Sequence, residues 1–267
     1  MQIHAIQHIG TRPSQQDAFF IAQGIGEHGS HMIMCVCDGV GGTHGGARAA
    51  ATAASAFGRE LVEFATQGTH SITGFRHHFE QARRHTTIQL ACDADDEPGL
   101  EHACTTITAC VLIEDRLFAG NIGDSPLLIS DGNILVHAWT EHSKAALLLS
   151  AGVLTAEEYE ASPFRGVLTR FAGTRSHTSS RPPCAEYRLG QSDRVVVCSD
   201  GALEAITLNG IREQLGAPSI STVRTLFENA IRARATDNAT LILCGRDDEE
   251  TLRDMYADSY AESANQL

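Results

Sequence analysis

The sequence predicts an α+β protein in which helices are layered around a sandwich of β-sheets. Two observations support this prediction. Strand-like apolar runs come in two groups along the chain, and helical segments follow each group. The turns between neighbouring strands are short, which favours antiparallel pairing over a parallel sheet built from βαβ units. With 267 residues and 42% hydrophobic composition, the chain can bury a substantial core.

The N-terminal elements are predicted from hydrophobic periodicity. Apolar runs at residues 17–23 and 31–37 are typical of strands, and an alanine-rich stretch at 46–66 has apolar residues at helical spacing. A second helix is predicted over residues 72–93. Its apolar face is expected to carry Phe75, Phe79, Ala82 and Ile88.

The second group of strands begins with four short runs, for which an antiparallel meander is predicted. Asp131 and Gly132, between the third and fourth runs, are typical of a two-residue hairpin turn. A helical excursion over residues 142–175 precedes the last strands, and an amphipathic helix is predicted over 219–235. The predicted strands of this group are 105–113, 116–123, 126–130, 134–140, 185–189, 194–199 and 238–244.

Composition and charge limit the classes of function. The formal net charge is −13, from 20 basic and 33 acidic residues, whereas non-specific nucleic-acid binders carry a basic face. No apolar run approaches the ~18 residues that span a membrane, and the first residues show no secretory signal. We therefore expect a cytoplasmic protein that binds neither nucleic acid nor membrane. Cysteines in the apolar runs, namely Cys35, Cys37, Cys110, Cys198 and Cys244, are expected to be reduced core residues.

Five aspartates stand at the ends of predicted core strands, and they are Asp17, Asp38, Asp124, Asp200 and Asp237. Strand ends can converge on one edge of the sheets, where gathered carboxylates repel each other unless a cation lies among them. Oxygen ligands suit Mg²⁺ or Mn²⁺ rather than zinc, and two such ions can hold a hydroxide for attack on a phosphorus or carbonyl centre. Any one of these acids alone is more typical of a turn, but the set indicates a metal site.

The segment after Asp38 holds five glycines within eight residues. Such glycines can cradle a phosphate, or they can let the backbone turn sharply so that Asp38 and a carbonyl face a metal. The loop lacks the Lys-Ser/Thr pair of a nucleotide-binding P-loop, so we favour the turn.

Two kinds of basic side chain, arginine and histidine, could contribute to such a site. Arg12 lies five residues before Asp17, and an arginine fork beside a metal-held hydroxide is what phosphate binding needs. The 13 histidines show no zinc-ligand spacing, and the adjacent His77 and His78 point to different sides of a helix. We expect the histidines to be surface or core-edge residues.

Taken in chain order, these residues resemble the motifs of the metal-dependent type 2C protein phosphatases (the PPM family) in their compact bacterial form. The resemblance covers residues 9–245 and includes R-x-x-x-x-D at 12–17, D-G-x-G-G at 38–42, N-x-G-D-S at 121–125, S-D-G at 199–201 and D-N-x-T at 237–240. It implies a four-layer α-β-β-α sandwich of two antiparallel sheets flanked by helix pairs. It further implies a catalytic domain over residues 1–246 with a flap at about 142–175. The composition of residues 247–267 predicts a polar C-terminal tail, for which a helix and a frayed end both remain open.

The resemblance assigns the core metal ligands. Asp38 would bridge two Mn²⁺ or Mg²⁺ ions, and Gly39 would offer its carbonyl to one of them. Asp200 and Asp237 would complete the ligands of the second ion. The implied reaction is direct attack of the metal-bridging hydroxide on a phosphoserine or phosphothreonine monoester, without a covalent enzyme intermediate.

Three further roles follow from the same resemblance. Asp17 would hold metal-bound water, and Asp124 together with Asp200 would form a third, weaker metal site. Arg12 would bind the substrate phosphate. We accordingly expect phosphorylated protein substrates produced by a Ser/Thr kinase, acted on by a monomer.

Four positions depart from the family pattern, at Gln16, Ala47, Pro126 and Glu141. Gln16 replaces a glutamate and removes a negative charge near the first metal. All direct carboxylate ligands remain, so we predict an active Ser/Thr protein phosphatase. The alternative is a weakly active or catalytically silent relative that binds phosphoproteins as a regulator. A metal-dependent phosphodiesterase or nuclease is a third class, which the acidic charge disfavours.

Overall fold

The computed structural model describes residues 1–26, 29–40, 42–67, 70–130, 135–174 and 181–246. In this part of the chain the strands form two antiparallel sheets, one of five strands and one of seven. The strands are β1 (Gln2–His8), β2 (Asp17–Gly26), β3 (Gly29–Val40), β4 (Cys104–Thr105), β5 (Ile107–Ile113), β6 (Arg116–Ile122), β7 (Leu127–Ser130), β8 (Leu135–His137), β9 (Ala172–Gly173), β10 (Cys184–Arg188), β11 (Arg194–Cys198) and β12 (Ala239–Gly245). The five-stranded sheet has the order β1-β12-β11-β7-β8, and the other has the order β10-β6-β5-β3-β4-β9 with β2 paired to β3.

Helices cover the outer face of each sheet. Helices α1 (Gly42–Thr66) and α2 (Ile72–Asp96) pack on the seven-stranded sheet, whereas α5 (Asp200–Ile206) and α7 (Ile220–Arg234) pack on the five-stranded one. This arrangement confirms the predicted α+β class with two antiparallel sheets. None of the described helices is long and apolar enough to cross a membrane. The other described helices are α3 (Lys144–Ser150), α4 (Ala156–Glu160) and α6 (Leu208–Leu215).

The middle of β3 is apolar on both faces because both faces are buried. Alternate side chains of a strand point to opposite sides of the sheet. Met32, Met34 and Val36 pack between the two sheets, whereas Ile33 and Cys35 face α1 and α2. The continuous apolar run before Asp38 therefore belongs to a strand sandwiched between two layers, and its cysteines are buried and free, as predicted.

Helices α1 and α2 pack through aromatic side chains. The rings of Phe57 and Phe79 meet edge to face at 4.8 Å, and those of Phe64 and Phe75 do so at 5.5 Å. The predicted apolar face of α2 is wrong at one position, because Ile88 is 62% exposed. Leu90 is buried instead, so the face of α2 that packs against α1 includes Leu90 and not Ile88.

The predicted meander is wrong at its centre. β5 pairs with β6, and β7 pairs with β8, but β7 also pairs with β11 in the other sheet. The chain therefore leaves one sheet after Ile122 and enters the other at Leu127. The short connection, which looks like a hairpin turn in the sequence, joins the two layers of the sandwich.

Some elements were not predicted. β1 pairs with β12 along its whole length, although its histidines and glutamines mask the alternation typical of a strand. α5 and α6 follow Ser199, where Gly201, Thr207 and Gly210 interrupt the helical pattern. The predicted hairpin at Asp131-Gly132 and the tail over 247–267 lie outside the described residues.

Candidate active site

A cavity of about 410 Å³ opens where the strands of both sheets end. It is lined by six of the seven residues predicted as site residues, and these are Arg12, Asp38, Gly39, Asp124, Asp200 and Asp237. The seventh, Asp17, is only 6% exposed and lies opposite Asp38 in the register of β2 and β3. The structure thus brings together the whole predicted set.

Asp38 is held by its backbone on both sides. Its N–H donates to Thr106 Oγ1 at 3.0 Å, and its carbonyl accepts from the Thr105 hydroxyl at 2.9 Å and the Thr106 N–H at 2.8 Å. These contacts leave the carboxylate as the part of the residue that faces the cavity. The strand end is therefore a rigid support for this side chain.

Gly39 allows a close approach between β3 and the start of α1. A Cβ atom at this position would lie 2.1 Å from the Gly46 carbonyl oxygen and 2.6 Å from that of Gln16. A real Cβ cannot occupy such a position, so a larger residue would push the helix away. Gly39 itself still lies in the strand and serves close packing, because β3 continues to Val40, and the connection to α1, which begins at Gly42, lies within the glycine-rich segment.

Asp200 begins α5, directly after the buried residue Ser199 at the end of β11. The Ser199 hydroxyl does not cap the helix. It donates to Asp17 Oδ2 at 2.9 Å and accepts from the Thr240 N–H at 2.9 Å. Ser199 therefore connects three elements and orients Asp17 next to the helix that presents Asp200.

Asp237 lies in the loop before β12 and is paired with Arg12. Arg12 Nη2 donates to Asp237 Oδ2 at 2.5 Å, and the two side chains are 57% and 37% exposed. Gly201 lets α5 approach this loop, since a Cβ there would lie 2.3 Å from the Asn238 carbonyl oxygen. Asp200 and Asp237 thus become neighbours although they are far apart in sequence.

Asp124 lies on the connection between the two sheets. Buried polar contacts hold this connection: Thr108 donates to the Ser125 carbonyl at 2.6 Å, and Asn121 Nδ2 donates to the same carbonyl at 3.0 Å. His142 supports it from the other side, because its Nδ1 accepts from the Gly123 N–H at 3.0 Å. The motif N-x-G-D-S is therefore a structural brace that places Asp124 at the cavity.

The carboxyl groups of the cavity raise each other's pKa values. Burial raises the pKa of Asp38 well above its usual value, with further contributions from Asp200 and Asp17. Burial also raises the pKa of Asp17 to about 6, although the hydroxyls of Thr240 and Ser199 partly oppose this. The pKa of Asp124 rises to about 7 through burial, followed by the charges of Asp200 and Glu141. The described protein groups around the cavity therefore do not compensate the negative charge of these carboxylates in their ionised forms.

The donor set of this cavity fits divalent cations. Asp17 Oδ1 is buried and has no hydrogen-bond partner, although a buried carboxylate oxygen normally has one. Arg12 is the only basic residue among the described ones that line the cavity. Carboxylate and carbonyl oxygens are the ligands that Mg²⁺ and Mn²⁺ prefer.

Sequence reasoning did not assign roles to two residues that shape the cavity. Thr106 holds Asp38 and contacts Ser125 at 2.7 Å between the two hydroxyls. Asn238 donates from Nδ2 to the carbonyls of Ile9 and Ser14, and its Oδ1 accepts from the Gln16 N–H at 2.8 Å. The motifs around these residues, T-T and D-N-x-T, were the available signals. Gln16 is held here through its backbone N–H, a contact that does not involve its side chain.

The segment predicted as a flap adjoins the cavity through Gly166 and Leu168. The Lys144 N–H donates to the Val167 carbonyl at 2.8 Å, and the Thr169 N–H donates to the His142 carbonyl at 2.8 Å. These two bonds lie within the segment, and the His142 N–H, which donates to the Gly123 carbonyl at 2.9 Å, fastens the segment to the connection that carries Asp124. Its motion as a flap stays a prediction.

Comparisons with known proteins agree with this geometry. A family profile described as "Protein phosphatase 2C" matches residues 6–240. Protein phosphatase PhpP of Streptococcus pneumoniae is 25% identical over 253 residues, which are 94% of this chain and 99% of PhpP. The crystal structure of the serine/threonine phosphatase PstP of Mycobacterium tuberculosis has a TM-score of 0.77 at 24% identity and covers 92% of this chain and 99% of its own. A structure of the PstP catalytic domain with two manganese ions has a TM-score of 0.73 at 23% identity, with 92% and 98% covered.

The profile match spans well over half of the chain and includes all seven predicted site residues. The sandwich of two antiparallel sheets with outer helices is also the fold of the matching structures. The chain therefore belongs to the protein phosphatase 2C (PPM) family of metal-dependent serine/threonine protein phosphatases.

Proposed function

We propose that Asp38, Asp200, Asp237 and the Gly39 carbonyl hold two Mn²⁺ or Mg²⁺ ions in the cavity. The observation that carries this proposal is the convergence of carboxyl groups with raised pKa values around the same cavity. Such a cluster is costly in the absence of cations and favourable in their presence. The two manganese ions bound to the related PstP domain support the same assignment.

The remaining site residues take supporting roles in this proposal. Asp17 holds water next to the ions, and Asp124 with Asp200 contributes a third, weaker cation site. When bound, the ions supply Lewis acidity that activates a water molecule for attack on phosphorus. Arg12 has five N–H donors and uses one of them on Asp237, so others are left for the oxygens of a substrate phosphate.

The substrate class follows from the family. PhpP and PstP are named as protein or serine/threonine phosphatases, and we propose that this chain hydrolyses phosphoserine and phosphothreonine in proteins phosphorylated by a Ser/Thr kinase. The open cavity of about 410 Å³ can admit a phosphorylated side chain without enclosing its peptide. The monomeric state and the cytoplasmic location stay predictions from the sequence.

The decisive experiment measures Mn²⁺-dependent phosphate release from p-nitrophenyl phosphate and from a phosphothreonine peptide. Asp38→Asn and Asp237→Asn should each abolish it, because each removes a charged ligand from the site. Asp95→Asn, at an exposed position of α2, is the matched control and should retain full activity. Unchanged rates in both site variants would contradict the assignment.

The alternative of a silent, phosphoprotein-binding relative makes a different prediction. Calorimetry with Mn²⁺ separates the two functions, since an enzyme of this kind should bind two ions tightly. No binding at millimolar Mn²⁺, together with retained affinity for a phosphopeptide, would favour the silent relative. Three departures from the family pattern, at Gln16, Ala47 and Pro126, motivate this alternative, and Gln16 brings no charge to the cavity that it lines.

A further inference from the structure

A second group of metal-ligating side chains lies between α1 and α2, outside the candidate active site. Glu60 and Glu63 on α1 and His78 on α2 each present one ligand atom, and these atoms lie within 4.8 Å of one another. His78 is 8% exposed, and its Nδ1 is 3.0 Å from Glu60 Oε2. Two carboxylates and a buried imidazole therefore meet at one point of the helix pair.

The hydrogen bonds around His78 determine its tautomer. The Gln67 amide Nε2 donates to Glu63 Oε1 at 2.8 Å, so the amide oxygen is directed to the other side, where it lies 3.4 Å from His78 Nε2. Since an amide oxygen only accepts, Nε2 must carry a proton. In the neutral form of the ring, Nδ1 then carries the lone pair and faces Glu60 Oε2, 3.0 Å away. Two acceptors at this distance repel each other unless a cation lies between them.

We propose that Glu60, Glu63 and His78 bind a divalent transition-metal ion of the zinc class and so fasten α1 to α2. Imidazole nitrogen together with carboxylate oxygen is a ligand set that suits Zn²⁺. A histidine whose other nitrogen donates to a carbonyl or carboxylate oxygen is the usual arrangement at such ions. Here the side-chain oxygen of Gln67 is the acceptor for His78 Nε2.

The site is accessible and can contract around an ion. Tetrahedral zinc with bonds of about 2.1 Å needs its ligand atoms closer together than 4.8 Å, which the rotatable glutamate side chains can provide. A groove of about 670 Å³ between the helices is lined by Glu60, Glu63 and His85. His85 Nδ1 is 3.3 Å from Glu60 Oε1, and the His85 side chain is 54% exposed. His85 can therefore serve as the fourth ligand in place of water.

The positive side chains of the groove are committed elsewhere. Arg48 donates to Asp93 Oδ2 at 2.7 Å, and Arg59 donates to the Ser55 hydroxyl at 3.3 Å. Apart from the histidines, no basic side chain is recorded in an ion pair with Glu60 among the described residues. Sequence spacing does not predict this group, because its ligands come from two helices and lack the spacing of a local zinc motif.

The test uses the full chain with its active site saturated with Mg²⁺, a hard cation that prefers all-oxygen sites. Zn²⁺ bound per chain is measured by equilibrium dialysis with metal analysis, and the thermal midpoint is followed with and without Zn²⁺. The variants are Glu60→Gln, Glu63→Gln and Gln67→Ala. Glu80→Gln is the matched control, because Glu80 lies on α2 and pairs with Arg83 instead.

We expect the wild type and Glu80→Gln to bind one more Zn²⁺ per chain than Glu60→Gln and Glu63→Gln. Zn²⁺ should raise the thermal midpoint of the wild type and of Glu80→Gln only. Gln67→Ala should lower the Zn²⁺ affinity of this site by about 10- to 100-fold, because the Gln67 side-chain oxygen no longer holds the proton on His78 Nε2. Glu63 is exposed, so its variant should fold normally and retain Mg²⁺-dependent phosphatase activity. Equal Zn²⁺ stoichiometry and affinity in Glu63→Gln and Glu80→Gln would overturn the proposal and leave a proton as the cation that His78 shares with Glu60.

Discussion

Replacing Asp17 with asparagine should make the metal-free protein more stable while it weakens metal binding. Asp17 is 6% exposed and its Oδ2 accepts a hydrogen bond from the Ser199 hydroxyl, while its Oδ1 has no hydrogen-bond partner. An asparagine has nearly the same shape and can keep the contact through its own oxygen. It carries no charge, so the repulsion from Asp200 and Asp237 is removed.

The magnitude follows from the pKa of the buried carboxyl. Burial, as the largest cause, raises the pKa of Asp17 from 3.8 to about 6. Such a rise corresponds to about 3 kcal/mol of destabilisation when the group is fully ionised. This is a large share of the 5–15 kcal/mol that is typical, as an order of magnitude, for the unfolding of a domain.

The sign of the pH dependence is opposite to that of an aspartate in an ion pair. The folded protein binds this proton more tightly than the unfolded chain, so the cost is fully present above pH ~6 and fades as the pH falls towards ~4. Below pH ~4 both states are protonated and the group contributes nothing. Asp17→Asn should therefore raise the free energy of unfolding at pH ~7.5 by up to ~3 kcal/mol, and the gain should vanish near pH 4.

Urea unfolding with EDTA, followed by circular dichroism over this pH range, measures the effect. Repeating the titration with Mn²⁺ should reverse the order of the two proteins, because the ion stabilises only the folded state that binds it. Asp95→Asn is the control, since this aspartate is exposed on α2. If Asp17→Asn were equally or less stable than wild type in EDTA at pH ~7.5, charge burial at this position would not be costly and our account of the site would be refuted.

Three further predictions concern the same site. Arg12→Ala should raise KM for a phosphothreonine peptide about tenfold or more through the loss of a charge-assisted hydrogen bond, with Mn²⁺ affinity retained in calorimetry; a collapse of metal binding would make Arg12 structural. Gly39→Ala should lower the unfolding free energy by about 3 kcal/mol or more, because its Cβ would lie 2.1 Å from the Gly46 carbonyl oxygen. Gly74→Ala is the control: its Cβ would lie 3.4 Å from the nearest atom, Ser71 Oγ, and the thermal midpoint should stay unchanged or rise. Mn²⁺ binding near pH 6 should release protons, because the pKa values of Asp17 and Asp124 are about 6 and 7. Calorimetry in two buffers of different ionisation enthalpy should show this release as a difference in binding heat that declines near pH 8. The same binding heat in both buffers at pH ~6 would contradict the prediction.

Much of the candidate site could be predicted from the sequence because its signals are local. An acid that follows a buried apolar run stands at a strand end, and Asp38 and Asp200 both lie where this pattern predicts. The set of such acids, in the order of a known family, also indicated metal-dependent chemistry. Helices with clear periodicity were found for the same reason, although Ile88 shows that a single apolar residue does not define the buried face.

Other features depend on contacts between distant segments. The partner of a strand is chosen by the layers on both of its faces, so the sequence around Gly123 could not show that the chain crosses from one sheet to the other. The function of Gly39 depends on Gly46 and Gln16, which approach it only in the folded chain. Close packing between layers is therefore invisible to local propensity.

The amino-acid sequence by itself determined the α+β class, the family and the acids of the site, since burial patterns and motif order are properties of short segments. Only the tertiary structure decided how these acids affect each other's pKa values, because charge repulsion and desolvation depend on distances across both sheets. It also brought His78 to Glu60 and Glu63, a meeting that depends on how α1 and α2 pack and that no spacing within either helix predicts.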